Sequence, residues 1–504
     1  MTDMRARSFI ALASVLLLAA AARLYGITGE SAWGDEVLTL RHLPAPGLGV
    51  YLQDAFREDP VPRMCPAYYT LQFGWASLFG GSVLAMRMLS LVLSLFTVAL
   101  VWHLGRALAD TRTGTLAAGI FALSLVSIYY AQEVRFYAFM TLLAVASFEG
   151  LRQVLAHPNR PRGWIINLSA NALLLWTHAF APLVLVTQGI ALLALRGRRP
   201  RQWIGWGLAH AGLAALFFAW LLLLQYDFRE NRSVFNDIPP SWRELATAIV
   251  VFAGGRFSNE NPAPYMPFGI SLDLVIAALL GGFTLWALCA ALKRDDAEPQ
   301  PARRENLILL ALWFVVPLAV LYATALFWRP VFFYRYILYA AVPLYLLAAI
   351  GLSQVQRPAL RNVVTAILLA AMAWQVFALP RPFRPDYNAM GQAVVDHPAP
   401  SKHVLALKAF NGLGVSYALS DSGVAVTTHH GFRELTAAAI DRAQRGETVW
   451  VVFHRWARAD ESIGAAEAAG LRVTRLSSAG IPPLEVLRVA PADVRTFKSS
   501  APAF

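Results

Sequence analysis

SFIALASVLLLAAAARLYGI, residues 8–27, followed shortly by Trp33-Gly34-Asp35-Glu36, is the stretch on which the reading of the fold turns. The apolar run is as long as a helix that crosses a bilayer core. An acidic pair then appears where the chain leaves the run. Arg5 and Arg7 ahead of it and the small residues Ala19–Ala22 would also suit a secretory signal. The run is long for that role, and similar runs recur at 84–105, 113–130, 136–155, 163–177, 180–196, 203–225, 270–292, 306–327, 337–354 and 361–379. The chain is therefore read as a polytopic α-helical membrane protein with about eleven transmembrane helices.

Composition agrees. Of 504 residues 57% are hydrophobic and 15% charged, against about 25% charged in an ordinary soluble protein. The net charge of +12 does not indicate nucleic acid, because the arginines fall in short loops between apolar runs: Arg106–Arg112, Arg152–Arg162, Arg196–Arg201, Lys293–Arg304 and Arg357–Arg361. Basic loops face the cytoplasm. Placing these loops and the N-terminus inside makes every run alternate, with the C-terminus outside. Cys65 and Cys289 are far apart in sequence and imply neither a disulfide framework nor a zinc site.

With that topology Pro66–Gly80, short and rich in Tyr and Trp, reads as a helix lying on the outer leaflet; a span returning at Gly80-Gly81 is the rival reading. Residues 1–380 then form a transmembrane domain, with 28–82 as its first external loop carrying interfacial helices. The stiff linker Pro380-Arg-Pro-Phe-Arg-Pro385 leads to an extracytoplasmic domain, 381–504. Strand-like His403–Leu407, Val449–Phe453, Leu471–Leu476 and Leu484–Val489 alternate with helix-like Leu435–Gln444 and Ser462–Ala469. This is the pattern of a small α/β domain with a largely parallel sheet. It carries no Gly-rich nucleotide fingerprint, and the chain shows no internal repeat.

The unusual polar residues gather on the outer side. Asp35-Glu36 could supply a general base to an adjacent cavity; the same pair would also suit a solvated loop or the start of a short helix. In Gln132-Glu133-Val134-Arg135-Phe136-Tyr137, Glu133 and Tyr137 would share a face if the segment were helical. Arg329 and Arg335, flanked by Phe332, Phe333, Tyr334 and Tyr336, run against the topological bias and suit bidentate binding of phosphate oxygens; snorkelling to headgroups is the plainer alternative. Arg63, Arg87 and Arg256 are weaker candidates. His178 is a lone histidine at a corner between two short runs, where a packing role competes with substrate contact.

Several motifs in this order resemble those of the membrane-embedded GT-C glycosyltransferases, particularly the branch of protein O-mannosyltransferases and lipid A aminoarabinose transferase. They are Trp33-x-Asp35-Glu36; Pro66, Tyr68 and Tyr69 followed by Leu78-Phe79-Gly80 and Arg87; Gln132-Glu133-x-Arg135-x-Tyr137; Thr177-His178-x-Phe180; and Arg335-Tyr336 followed by Pro343. The resemblance covers roughly residues 8–380. It implies that Asp35 is the catalytic base with Glu36 as its acidic neighbour, and that Glu133 and Arg135 lie beside the reaction centre. It also implies that Arg335, with Tyr336, Arg329, Arg135 and Tyr137, meets the donor phosphate and lipid, while Trp33, Gln132, His178 and Tyr68 line the substrate cavity.

The implied activity is inverting transfer of a sugar, hexose or pentose, from a polyprenyl-phosphate-linked donor to a hydroxyl of a lipid, glycan or protein acceptor. The implied location is the outer face of a bacterial inner membrane. The sugar and the acceptor are not encoded in any motif. A divalent cation bound by Asp35, Glu36 and Glu133 is possible; no other cofactor is expected. The alternative class is a transporter or flippase for lipid-linked sugars. It fits less well, because the polar residues cluster outside and no halves repeat.

Overall fold

A computed structural model of the chain describes residues 2–58, 63, 65–196, 200–223, 239–255, 270–293, 301–378, 384–398, 402–407, 410–454, 459–477 and 484–492. Arg256, most of 226–269 and the first residues of the linker at 380–385 lie outside the described residues. The helices are α1 (Thr2–Leu24), α2 (Gly34–Leu40), α3 (Leu48–Glu58), α4 (Pro66–Phe79), α5 (Val83–Leu108), α6 (Thr111–Leu123), α7 (Leu125–Ala131), α8 (Tyr137–Ala156), α9 (Pro161–Leu175), α10 (Pro182–Arg196), α11 (Pro200–Leu223), α12 (Trp242–Phe252), α13 (Ile270–Lys293) and α14 (Pro301–Phe327). A 3₁₀ segment (Tyr334–Ala340), α15 (Ala341–Ser353), α16 (Pro358–Phe377) and α17 (Tyr387–Asp396) follow. The chain ends with β1 (Lys402–Leu407), α18 (Phe410–Ala418), β2 (Ala425–His429), α19 (Phe432–Gln444), β3 (Thr448–His454), α20 (Ala459–Ala468), β4 (Leu471–Ser477) and β5 (Leu484–Pro491). Two compact units result. The first holds Met1–Tyr25 with most of what lies between His42 and Leu379; the second holds Gly26–Arg41 and Pro380–Phe504.

Within the described residues, every apolar run forms helix. The span count is lower than about eleven, however. Among the described residues eight helices are long and apolar enough to cross a membrane, or nine if α6 and α7, bent by 65° at their junction, count as one. The shortfall lies in α9 and α10. Each has 15 residues, or about 22 Å at 1.5 Å per residue, against a hydrocarbon core of about 30 Å. The 14 residues of α4 are likewise fewer than a span needs.

Close backbone approach and buried hydrogen bonds hold the first unit together. At the α5–α6 hairpin, Asp110 caps α6 by accepting from Thr113 N (2.7 Å). A Cβ on Gly105 would sit 2.8 Å from Gly114 Cα, so only glycine permits this crossing. The α6–α7 break at Ser124 frees carbonyls that lipid cannot satisfy. Arg23 of α1 meets that demand. Fully buried, it donates from Nη1 to Ala122 O (3.0 Å) and Ala19 O (3.2 Å), and from Nε to Ser94 Oγ (2.8 Å).

A second polar knot joins α8, α9, α10 and α11. Ser147 Oγ donates to Asn171 Oδ1 (2.5 Å), Gln188 Nε2 to Ser147 Oγ (2.6 Å), and Asn171 Nδ2 to Gln188 Oε1 (3.0 Å). Trp206 Nε1 donates to Asn167 Oδ1 (3.0 Å), and Asn171 Nδ2 lies 2.8 Å from His210 Nε2. Such bonds substitute for the hydrophobic drive that is missing between helices in lipid.

The second unit is built on a five-stranded sheet of order β2-β1-β3-β5-β4. It is mixed rather than largely parallel: β2, β1 and β3 pair in parallel, while β5 runs antiparallel to both β3 and β4. The link from Ser477 to Leu484 is too short for the crossover that a parallel partner requires. Strand alternation sends Val404, Trp450 and Val452 to one face and Leu405, Val451 and Phe453 to the other. The second face packs on α19 and α20. The first packs on α17, α18 and the Trp33 indole, which at 4% exposure belongs to the same core cluster as Tyr387, Met390 and Trp450. Burying an indole of ~200 Å² at ~25 cal/mol per Å² stabilises by up to ~5 kcal/mol.

Candidate active site

In the first unit the site is built around the turn that ends α7. Residues 132–136 are not helical, so Glu133 and Tyr137 do not share a helix face as their spacing had suggested. Gln132 instead ties the turn to the end of α1: its Nε2 donates to Arg23 O (2.6 Å) and Tyr25 O (2.9 Å). The Glu133 carbonyl accepts from Ser90 Oγ of α5 (2.6 Å) and from Arg135 N (2.9 Å). These bonds fix the backbone from which Glu133 and Arg135, both buried, project.

Aromatic rings then connect four sequence-distant segments. The Arg135 guanidinium lies 4.9 Å from the Phe136 ring centre. Phe136 meets Tyr68 of α4 edge-on (6.0 Å) and His178 (4.9 Å). Tyr137 packs on Tyr130 (4.7 Å) and His178 (6.1 Å). His178 in turn lies 5.4 Å from Tyr336, which stacks on Phe180 at 4.7 Å. Arg335 sits over Phe333 (5.2 Å) and Tyr336 (5.6 Å). Tyr130 lies within electrostatic reach of both Glu133 and Arg335. Tyr68, Glu133, Arg135, Tyr137, His178, Arg335 and Tyr336 therefore form one cluster. Arg329 follows α14 with its guanidinium over the exposed Trp328 (5.7 Å).

The electrostatics of the corner residue are specific. His178 is pushed down to about 3, first by burial and then by the charges of Arg135 and Arg335. It is neutral at physiological pH. Its Nδ1 accepts from Phe180 N (3.1 Å), which leaves the proton on Nε2. Burial also pushes the Tyr68 phenol up. The cluster can thus offer guanidinium charge and neutral donors to an anionic ligand.

The acidic pair belongs to the second unit. Asp35 and Glu36 lie in the first turn of α2 and are buried. Glu36 pairs with Arg384 (Nη1–Oε2 3.4 Å), which also meets Glu30 (Nε–Oε2 3.6 Å). Among the described residues no three His, Cys, Asp or Glu side chains are grouped to hold a metal ion. Sequence reasoning missed Arg23, Tyr130 and Arg384. The lone arginine inside residues 8–27 was the available signal for the first; nothing local marked the other two.

No family model and no curated protein matches the sequence. Solved structures do match in fold. ArnT from Cupriavidus metallidurans, bound to undecaprenyl phosphate, aligns over 95% of this chain and 97% of its own, at 11% identity and TM-score 0.55. The archaeal oligosaccharyltransferase AglB from Archaeoglobus fulgidus, in complex with an inhibitory peptide and a dolichol-phosphate, aligns over 98% and 75%, at 10% identity and TM-score 0.52. The arabinofuranosyltransferase AftD from Mycobacteria aligns over 97% of this chain and 42% of its own, at 15% identity and TM-score 0.50. The alignments span nearly the whole of this chain, and the chain shares the fold of these three proteins.

Proposed function

We propose that the protein is a glycosyltransferase that moves a sugar from a polyprenyl-phosphate donor onto an acceptor hydroxyl, with inversion, at the non-cytoplasmic face of a bacterial inner membrane. The observation that carries this reading is the cluster of Arg135, Arg335 and Glu133 on an aromatic wall drawn from four distant segments, in a bundle of this fold. The basic short loops support an N-terminus in the cytoplasm and a C-terminal domain outside.

In the proposed mechanism the donor phosphate meets Arg335, with Arg135 adding charge and Arg329 a further contact. Guanidinium groups held in a dry site stabilise the charge that grows on the leaving phosphate. Glu133 balances the charge of Arg135, which is buried, and of Arg335, which is half-buried. His178, neutral, presents Nε2–H as a donor, and Tyr68, Tyr137 and Tyr336 wall the sugar and the first lipid units. Asp35 takes the proton from the acceptor hydroxyl. The acceptor oxygen forms its bond to the anomeric carbon as the carbon–oxygen bond to phosphate breaks, and the electron pair leaves with the polyprenyl phosphate. One displacement with one base inverts the configuration; retention would need a nucleophilic carboxylate as well.

The test is transfer by the purified protein in detergent from polyprenyl-phosphate sugars to candidate acceptors, with the product anomer assigned by NMR. Transfer with inversion is expected. Movement of intact lipid-linked sugar across a proteoliposome without bond cleavage would contradict the reading and identify a transporter.

A further inference from the structure

The mechanism above uses Asp35 and leaves its neighbour without a role. Three ties hold the segment around Glu36 inside the second unit. The Trp33 indole is part of the core cluster under the sheet that also holds Tyr387 and Trp450. Ser31 Oγ donates to Asp386 Oδ1 (3.1 Å) and accepts from Asn388 N (2.9 Å). Arg384 bridges Glu30 and Glu36, and in the Glu36 pair the two side chains are 1% and 0% exposed. A carboxylate buried to this degree is tolerable only when paired.

We infer that Glu36 is an anchor rather than a base, and that Arg384 is a positioning residue. By pairing with Glu36, Arg384 docks α2 on the C-terminal unit and fixes the direction of Asp35, one residue and roughly 100° away on the same helix. The C-terminal unit is then the seat of the acidic helix, not an appended module. The docking stands on the contacts just given; its catalytic consequence rests on the function proposed above.

The test uses the full-length protein in detergent as wild type, Asp35→Asn, Arg384→Gln, Arg384→Lys, Glu36→Gln and the Arg384→Gln/Glu36→Gln double variant. Two quantities are read: amide hydrogen exchange in the peptide spanning 33–41, and sugar-transfer kinetics. Arg384→Gln is expected to speed exchange in that peptide about tenfold or more, leaving exchange in the helical bundle unchanged, because it removes the guanidinium that pairs with the buried Glu36 carboxylate. It should also lower kcat by about 10–100-fold with donor KM within about twofold. Arg384→Lys, which keeps the charge, should stay nearer wild type in both. The double variant, which removes the carboxylate's charge along with the guanidinium, should recover about fivefold or more of the kcat lost in Arg384→Gln.

Unchanged exchange in Arg384→Gln would overturn the docking. Inactivity of Glu36→Gln to the level of Asp35→Asn, with no recovery in the double variant, would overturn the anchor role and make Glu36 a reacting group. Failure of the wild type to transfer sugar would count against the proposed function, while the exchange measurement would still decide the docking.

Discussion

Between α8, α9, α10 and α11 the buried groups are Ser147, Asn167, Asn171, Gln188 and His210, joined to one another by hydrogen bonds of 2.5 to 3.2 Å. Around the turn after α7 they are Glu133 and Arg135, with the half-buried Arg335 nearby, set among the rings of Phe136, Tyr137, His178 and Tyr336. Both are polar and lie in one helical unit, yet they solve different problems. The first trades donors for acceptors among uncharged side chains and needs no ligand. The second concentrates formal charge in a site where charge is costly, with donors and rings suited to an anionic headgroup. Burial of polar groups does not mark a site in such a bundle; the kind of group buried does.

The contrast can be broken most sharply at Arg335. Arg335→Ala should lower kcat/KM for the lipid donor by ~10²–10³, mainly through a higher donor KM, because a phosphate contact is lost in a dry site. Steady-state kinetics with varied donor checks this, and unchanged donor kinetics would reassign Arg335 to the lipid interface. The amide knot should respond differently. Asn171→Leu should destabilise by ~1–2 kcal/mol, read as a lower unfolding temperature in detergent. Transfer per folded molecule should stay within about twofold of wild type. A collapse of activity in that variant would erase the distinction between the two clusters.

The smallest effect sharpens the electrostatics of the second cluster. His178 has a folded pKa of about 3, below its ordinary 6.5. The unfolded chain therefore binds more protons between those values, and the stability tied to a neutral His178 is present above pH 6.5 and is lost as pH falls toward 3. Unfolding temperature against pH should fall less steeply over that window in His178→Gln than in wild type. Parallel curves would mean that the corner is solvated rather than buried.

Much of this architecture was readable from the residues. Runs of bilayer length predicted the helices because lipid leaves a chain no other way to satisfy its backbone. The runs at 163–177 and 180–196 were visible as short and separate, but the helices they form have 15 residues each, too few to cross the hydrocarbon core, and the bend at Ser124 inside 113–130 left no mark in the run's composition. In the second unit each strand-like run became a strand, but the position of β5 between β3 and β4 depends on pairing across the sheet, which periodicity along one strand does not encode.

The motifs containing Tyr68, Glu133, Arg135, His178 and Tyr336 were visible as unusual residues at the ends of apolar runs, and the helices that follow bring them together. Arg384 was hidden in a proline-rich linker, and its partner Glu36 lies hundreds of residues earlier. Only folding of the second unit joins them. Trp33 was similarly ambiguous, since an aromatic beside an acidic pair suits a sugar-binding wall as well as the sheet core in which it lies.

The central claim is that Asp35 is the base in sugar transfer from a polyprenyl-phosphate donor. Its most direct test is single-turnover transfer by Asp35→Asn, with donor binding measured on the same preparation. The account predicts a loss of about 10³-fold or more in the transfer step with donor affinity retained. Transfer at the wild-type rate would contradict it.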